Sequence, residues 1–413
     1  MPGLAATMNA PGSLPALHRA LESRGGDVAI CQLADGDTRL ELGMRAAIPV
    51  IGRVLDQAGR LVAAAAVDGI ASFTALDAGY AEHGPAGLLA GDEPYAVILA
   101  DAEAGALVLA RNRDGPGLYY ARHGQGWLVA SEPGALLAAG VSAQPSVEAV
   151  RRFIRTGQCD HGQTTFFAQI GRVPADQAVQ LAADGSVQSV PGHRAAAPPA
   201  TVADCLAAVG RDGGRLGVLM HPDRPGLAVL ASTLATADRL RLLPVHTVTW
   251  AAPGSSPAVP TPLDLMPRGR IRAVAHAIDP LGLALADFVR EMGEPVADLG
   301  LYLLWVLARE QSGGLDVLVD ASTGSTCGLS RLADRIASRY GVTVRAPLRG
   351  VDPAALCDEV DQVLADRPGL PLPTDMVRAA AERPVVGPTD PAAVRRILLD
   401  RLDRVAAALA TPR

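Results

Sequence analysis

The stretch Gly217–Ser232, GVLMHPDRPGLAVLAS, constrains the fold of this chain more than any other. Gly217–Met220 is a short apolar run, the pattern of a buried strand. His221–Gly226, HPDRPG, holds two prolines and a glycine and reads as a tight turn. From Leu227 onward, LAVLASTLATADRLRLL carries apolar residues at helical spacing with few breakers. Strand, turn and helix in succession is how an open α/β sheet presents backbone N–H groups and a helix N-terminus to an anion. The turn chemistry opposes that use, because Pro222 and Pro225 have no N–H to donate. The layout is that of a nucleotide site; the residues in it are not.

On either side of this stretch the pattern differs, and 413 residues are enough for two domains. Residues 1–191 read as β-rich. Tyr95–Leu99 and Ala106–Ala110 are apolar β-type runs around the turn Asp101–Gly105. Leu118–Arg122 and Trp127–Ser131 repeat the pattern around His123–Gly126. A helix is expected over Ser146–Thr156 with Ser146 as its N-cap, and Thr165–Leu181 is again apolar and turn-rich. Residues 192–203 have the Ala-Pro composition of a linker. Residues 204–413 alternate: helix to Gly210, strand near 215, helix from 227, strand His246–Trp250 and helices within 269–313. A strand at Leu315–Asp320, a helix at Cys327–Tyr340, a strand at Val342–Val344 and an Arg-studded helix over Pro391–Ala410 follow. Ala251–Arg268 reads as a surface loop. The alternation argues for an α/β domain with a mostly parallel sheet.

Composition excludes several function classes. The net charge of −6 gives no reason to expect a nucleic-acid partner. Five scattered cysteines without CxxC spacing argue against a disulfide framework and against a zinc site. No basic segment followed by an apolar core opens the chain, and the apolar runs fall short of the roughly 20 residues that span a bilayer, so a cytoplasmic protein without membrane contact is expected. All 37 basic residues are arginine. Without lysine the chain has no Schiff base, no lysine general base and no lysine phosphate clamp.

Several blocks carry a family likeness. Leu107–Gly140, LVLARNRDGPGLYYARHGQGWLVASEPGALLAAG, resembles a block of the glutamine-dependent asparagine synthetases. Thr164–Asp176, TTFFAQIGRVPAD, resembles the block that ends that family's N-terminal domain. Gly293–Glu310, GEPVADLGLYLLWVLARE, and Tyr340–Pro347, YGVTVRAP, resemble a helix and a strand of its synthetase half. The blocks keep the family's order, and β-lactam synthetases and lasso-peptide cyclases are similar to the same family. The resemblance implies an α/β protein overall: an N-terminal αββα sandwich of the N-terminal-nucleophile (Ntn) type, an α+β domain, followed by an ATP-pyrophosphatase-like α/β domain.

The family's catalytic positions are another matter. Its glutaminase nucleophile is a cysteine directly after the initiator Met, and here Pro2 follows Met1. Proline supplies neither a thiol nor a primary amine. A partial match to the family's RGPD stands at Arg24-Gly25-Gly26-Asp27. In the segment matching its oxyanion loop, Asp68-Gly69-Ile70-Ala71-Ser72-Phe73, Asp68 replaces an amide donor by an acceptor, the wrong sign for an oxyanion hole. The ATP loop aligns with His221–Leu227 without its serines and magnesium-binding aspartate. The acidic loop aligns with Asp320–Thr326, where Ser325 and Thr326 replace Asp and Glu. Adenylation needs magnesium and cations around the developing pyrophosphate, so neither glutamine hydrolysis nor ATP activation is expected, and no cofactor or metal.

Candidate site residues follow from the ends of the predicted strands, which converge where open α/β sheets bind ligands. His221 and Asp223 are the candidate catalytic pair, a histidine and a carboxylate able to exchange protons; as helix-capping and turn-solvating groups they have an equally simple structural use. Arg224, His246, Asp320, Ser325 and Arg345 are candidate substrate contacts, with a structural ion pair as the alternative for Arg345. Cys159-Asp160-His161 is a loop triplet better suited to structure than to thiolate chemistry, and His276 is placed on a helix. Three functions stay open. One is a repurposed biosynthetic enzyme performing cyclisation, condensation or acyl transfer on a small or carrier-bound substrate without ATP. Another is an inert pseudo-synthetase that organises a partner enzyme or peptide of the same pathway. The third is an ATP-dependent amide or lactam synthetase.

Overall fold

The computed structural model describes residues 3–22, 28–34, 37–43, 51–55, 60–66, 73–89, 95–112, 115–156, 162–192, 215–219, 245–251, 271–277, 284–295, 299–310, 312–320, 336 and 339–345. The chain divides into two compact units. The first comprises Met1–Ala197 together with Val289–Val296 and Cys327–Arg339; the second comprises Pro198–Phe288, Ala297–Thr326 and Tyr340–Arg413.

The first unit is a four-layer αββα sandwich. One six-stranded sheet is built from β1 (Gly3–Met8), β2 (Val28–Ala34), β3 (Asp37–Gly43), β8 (Tyr119–His123), β9 (Gly126–Ala130) and β10 (Ile170–Arg172), in the order β10-β8-β9-β1-β2-β3. The other contains β4 (Ile51–Leu55), β5 (Arg60–Ala66), β6 (Tyr95–Asp101), β7 (Ala106–Arg111), β11 (Gln177–Ala182) and β12 (Val187–Pro191), in the order β12-β11-β7-β6-β5-β4. Neighbours run antiparallel except β1 and β2, which are parallel. The central strands β1, β6, β7 and β9 are buried along their whole length, so they read as near-continuous apolar runs rather than as alternations. β6 shows why: Ala96, Ile98 and Ala100 enter the core between the sheets, while Tyr95, Val97 and Leu99 pack outward with Leu76, Leu88 and Leu89. Those outer partners come from helix α2 (Phe73–His83) and the 3-10 segment Gly84–Leu89. Helices α1 (Leu14–Glu22) and α3 (Pro133–Ala138) cover the other sheet through Leu17, Leu21, Ala135 and Leu136. The β8–β9 hairpin turns at Gly124, whose φ of 59° is open to glycine at little cost.

The expected helix over Ser146–Thr156 is present as α4 (Val147–Thr156), with Ser146 Oγ accepting the Ala149 N–H at 3.3 Å. Cys159, Asp160 and His161 lie outside the described residues.

The second unit holds a parallel sheet. Its described strands are β13 (Leu216–Leu219), β14 (Val245–Ala251), β15 (Ile271–Ala277), β16 (Val317–Asp320) and β17 (Thr343–Arg345), in the order β15-β14-β13-β16-β17 with every pairing parallel. His276 therefore stands on a strand, not on a helix. Ile271–Ala277, IRAVAHA, is alanine-rich and scores as a helix former, but parallel pairing with β14 along its whole length overrides propensity. Helices α5 (Ala284–Met292) and α6 (Leu299–Glu310) follow. Phe288 lies edge-on to Tyr302 at 5.5 Å and tilted against Trp305 at 5.7 Å, an aromatic cluster with Trp305 fully buried. The helices expected over residues 204–210, from 227 and over Pro391–Ala410 lie outside the described residues.

Candidate functional site

Parallel pairing brings the carboxyl ends of all five strands to one edge of the second unit's sheet. Leu219 ends β13 opposite Asp320, which ends β16, and Val319 pairs with Arg345, the last residue of β17. Neighbouring strands are about 4.8 Å apart, so Arg345 lies beside Val319 on the adjacent strand, one residue short of Asp320. Asp320 is buried and engaged in an interaction. His221, Asp223 and Arg224 follow Leu219 by two, four and five residues, and Ser325 follows Asp320 by five; all four lie outside the described residues, as do Pro222 and Pro225. His246 is not brought to this edge. It is the second residue of β14 and pairs with Gly217, near the amino ends of both strands. The five residues from it to Ala251 carry the strand roughly 16 Å further at 3.3 Å each. The expected strand His246–Trp250 already set His246 at its start, and in a parallel sheet a strand's start lies at the edge opposite the carboxyl ends.

In the first unit, β1 lies in the middle of its sheet between β9 and β2 and opens at Gly3. The Leu4 N–H donates to Ser131 Oγ at 3.2 Å, and the Ser131 N–H returns to Leu4 O at 2.7 Å. The residues before Gly3 in sequence are Met1 and Pro2. Arg24–Asp27 and Asp68–Ser72 lie outside the described residues.

The blocks that carried the family likeness are architectural. Asn112 Oδ1 accepts the Tyr95 N–H at 3.0 Å, and the Asn112 N–H donates to Tyr95 O at 3.3 Å. Arg111 Nη1 donates to Gly115 O at 3.2 Å. Gly115 passes so near that a Cβ there would lie 1.9 Å from Tyr95 O, which admits no other residue. Tyr120 donates its hydroxyl to Gln163 Oε1 at 3.0 Å, and burial pushes its pKa up to about 12. Two charged residues that sequence reasoning passed over, Arg172 and Glu294, meet in the interior with side chains 4% and 0% exposed, Arg172 Nη1 standing 3.6 Å from Glu294 Oε2. The signal for them was available in type only: a glutamate and an arginine inside otherwise apolar, turn-rich blocks. Among the described residues no group of three or more His, Cys, Asp or Glu is placed to hold a metal ion, and no helix is long and apolar enough to cross a membrane.

Residues 74–190 match the family model of a glutamine amidotransferase domain. The match lies wholly within the first unit, on its αββα sandwich. No curated protein matches the chain. Among solved structures, an allosteric regulatory enzyme of purine biosynthesis is 12% identical over 93% of this chain and 92% of its own, with a TM-score of 0.31. Glutamine phosphoribosylpyrophosphate amidotransferase from B. subtilis, complexed with ADP and GMP, is 12% identical over 93% of each chain with a TM-score of 0.28. At these scores neither likeness supports an inference about this chain.

Proposed function

We propose that this is a biosynthetic protein built on the asparagine-synthetase plan that neither hydrolyses glutamine nor adenylates a carboxylate. Its chemistry is a cyclisation, condensation or acyl transfer on a small or carrier-bound substrate at the carboxyl edge of the parallel sheet. The observation that carries this is the start of β1. An Ntn-type amidotransferase needs a thiol or hydroxyl nucleophile with an amine as its base where this strand begins. Residues 1–6 are Met-Pro-Gly-Leu-Ala-Ala, without Cys, Ser or Thr. Thr7 comes later, fully buried within β1 in register with Leu128 and Gln32. At the other site, Asp320 is the one carboxylate among the described strand ends, and no lysine exists to neutralise a polyphosphate. One carboxylate is a poor match for a magnesium nucleotide, whose cation is held by carboxylates. His221 and Asp223 then supply acid–base capacity, and Arg224, Asp320, Ser325 and Arg345 supply charge and hydrogen bonds for the substrate.

The test is direct. Purified protein given glutamine and ATP–Mg should release neither ammonia nor pyrophosphate above a no-enzyme blank. Steady turnover of either product overturns the proposal.

A further inference from the structure

Glu294 has no part in either site, yet its side chain is fully buried. Helix α5 ends at Met292; the N–H of Gly293 closes its last turn on Val289 O at 3.0 Å, and the φ of 70° at Gly293 turns the chain out of the helix. Glu294 then meets a segment 128 residues away in sequence: its Oε1 accepts the Phe166 N–H at 3.0 Å. Its Oε2 faces Arg172, which donates from Nη2 to Thr164 O at 2.8 Å and from its backbone N–H to Gln163 O at 2.9 Å. Inside the same loop, Thr165 Oγ1 donates to Ile170 O at 2.7 Å, and Phe166 packs edge-on against Phe153 at 5.2 Å. A carboxylate this deeply buried is tolerable only while its charge and its lone pairs are met. Taking away either the guanidinium or the loop N–H withdraws a partner from a buried charge, so the loop and the segment that carries Glu294 are held in place by the same contacts.

We propose that Glu294 is a clasp that makes the loop of residues 163–172 and the carboxyl end of α5 one mechanical element, so that loosening either releases the other.

Hydrogen exchange on the full-length chain tests this. Glu294→Ala and Arg172→Met should each speed exchange about ten- to hundred-fold in both segments, 163–172 and 289–296, as loss of a buried charged partner does. β6 and β7 should keep wild-type protection, and Glu148→Ala on the exposed side of α4 should change nothing. Glu294→Gln retains an oxygen for the Phe166 N–H but no charge for Arg172, and should fall between wild type and Glu294→Ala. Loosening of one segment without the other overturns the clasp, as do wild-type rates in both. If the stronger variants do not fold, Glu294→Gln and Arg172→Lys are judged by the same criterion, and a uniform rise that includes β6 and β7 counts against the proposal.

Discussion

Asp316 shows what a single carboxylate contributes here. Arg215 donates to it three times, from its backbone N–H at 2.7 Å, from Nε at 3.1 Å and from Nη2 at 3.0 Å. A further bond from Arg215 Nη1 reaches Gly313 O at 2.6 Å. The guanidinium first, and then the backbone N–H, hold the Asp316 carboxyl below its ordinary range. A carboxyl whose folded value lies below the unfolded one, about 3.9, contributes stability that is present above that value and is lost as pH falls through the folded one. Both side chains are about half exposed, so the contribution is modest. Asp316→Asn should lower the urea midpoint at pH 7, and the gap to wild type should close as pH falls below about 4. A gap that persists unchanged into strong acid would show that the ionised form is not what matters.

At the scale of elements, local chemistry was legible and long-range chemistry was not. Ser146 was readable as a cap because a hydroxyl before an amphipathic run has one economical use, and it bonds the Ala149 N–H. Ser146→Ala should cost about 1 kcal/mol in chemical denaturation while Ser146→Asp should restore most of it; an unchanged midpoint for the alanine variant would mean the bond carries no weight. β6 and β7 were legible because burial on both faces leaves no polar alternation to misread. β15 was not, since Ile271–Ala277 takes its conformation from β14 rather than from its own residues. Glu294 and Arg172 were invisible for the same reason at longer range: nothing within either block announces a partner more than a hundred residues away. At the candidate site the start of the strand at His246 was legible, and with it the position of His246 at the amino edge of the parallel sheet.

For the whole molecule, the question is whether a sandwich and a parallel sheet that keep their packing also keep a reaction. Framework contacts such as Asn112 with Tyr95 suit a scaffold as well as a repurposed enzyme. Product formation in the native pathway separates them. With chemistry at the sheet edge, His221→Ala and Asp223→Ala should each lower output by ~10²–10⁴-fold at unchanged melting temperature. Full output from both, beside none from a gene deletion, would assign the protein to a scaffolding role. A different consequence follows from the position of β1. This strand ends at Met8, and its antiparallel neighbour β9 begins only at Gly126. Until then one edge of a strand that is buried throughout in the finished fold, Gly3–Met8, stays unsatisfied. Synthesis at about 5–20 residues per second leaves that edge open for many seconds. Chaperone occupancy of nascent chains should thus be high before residue 126 emerges and fall once β9 has closed the gap.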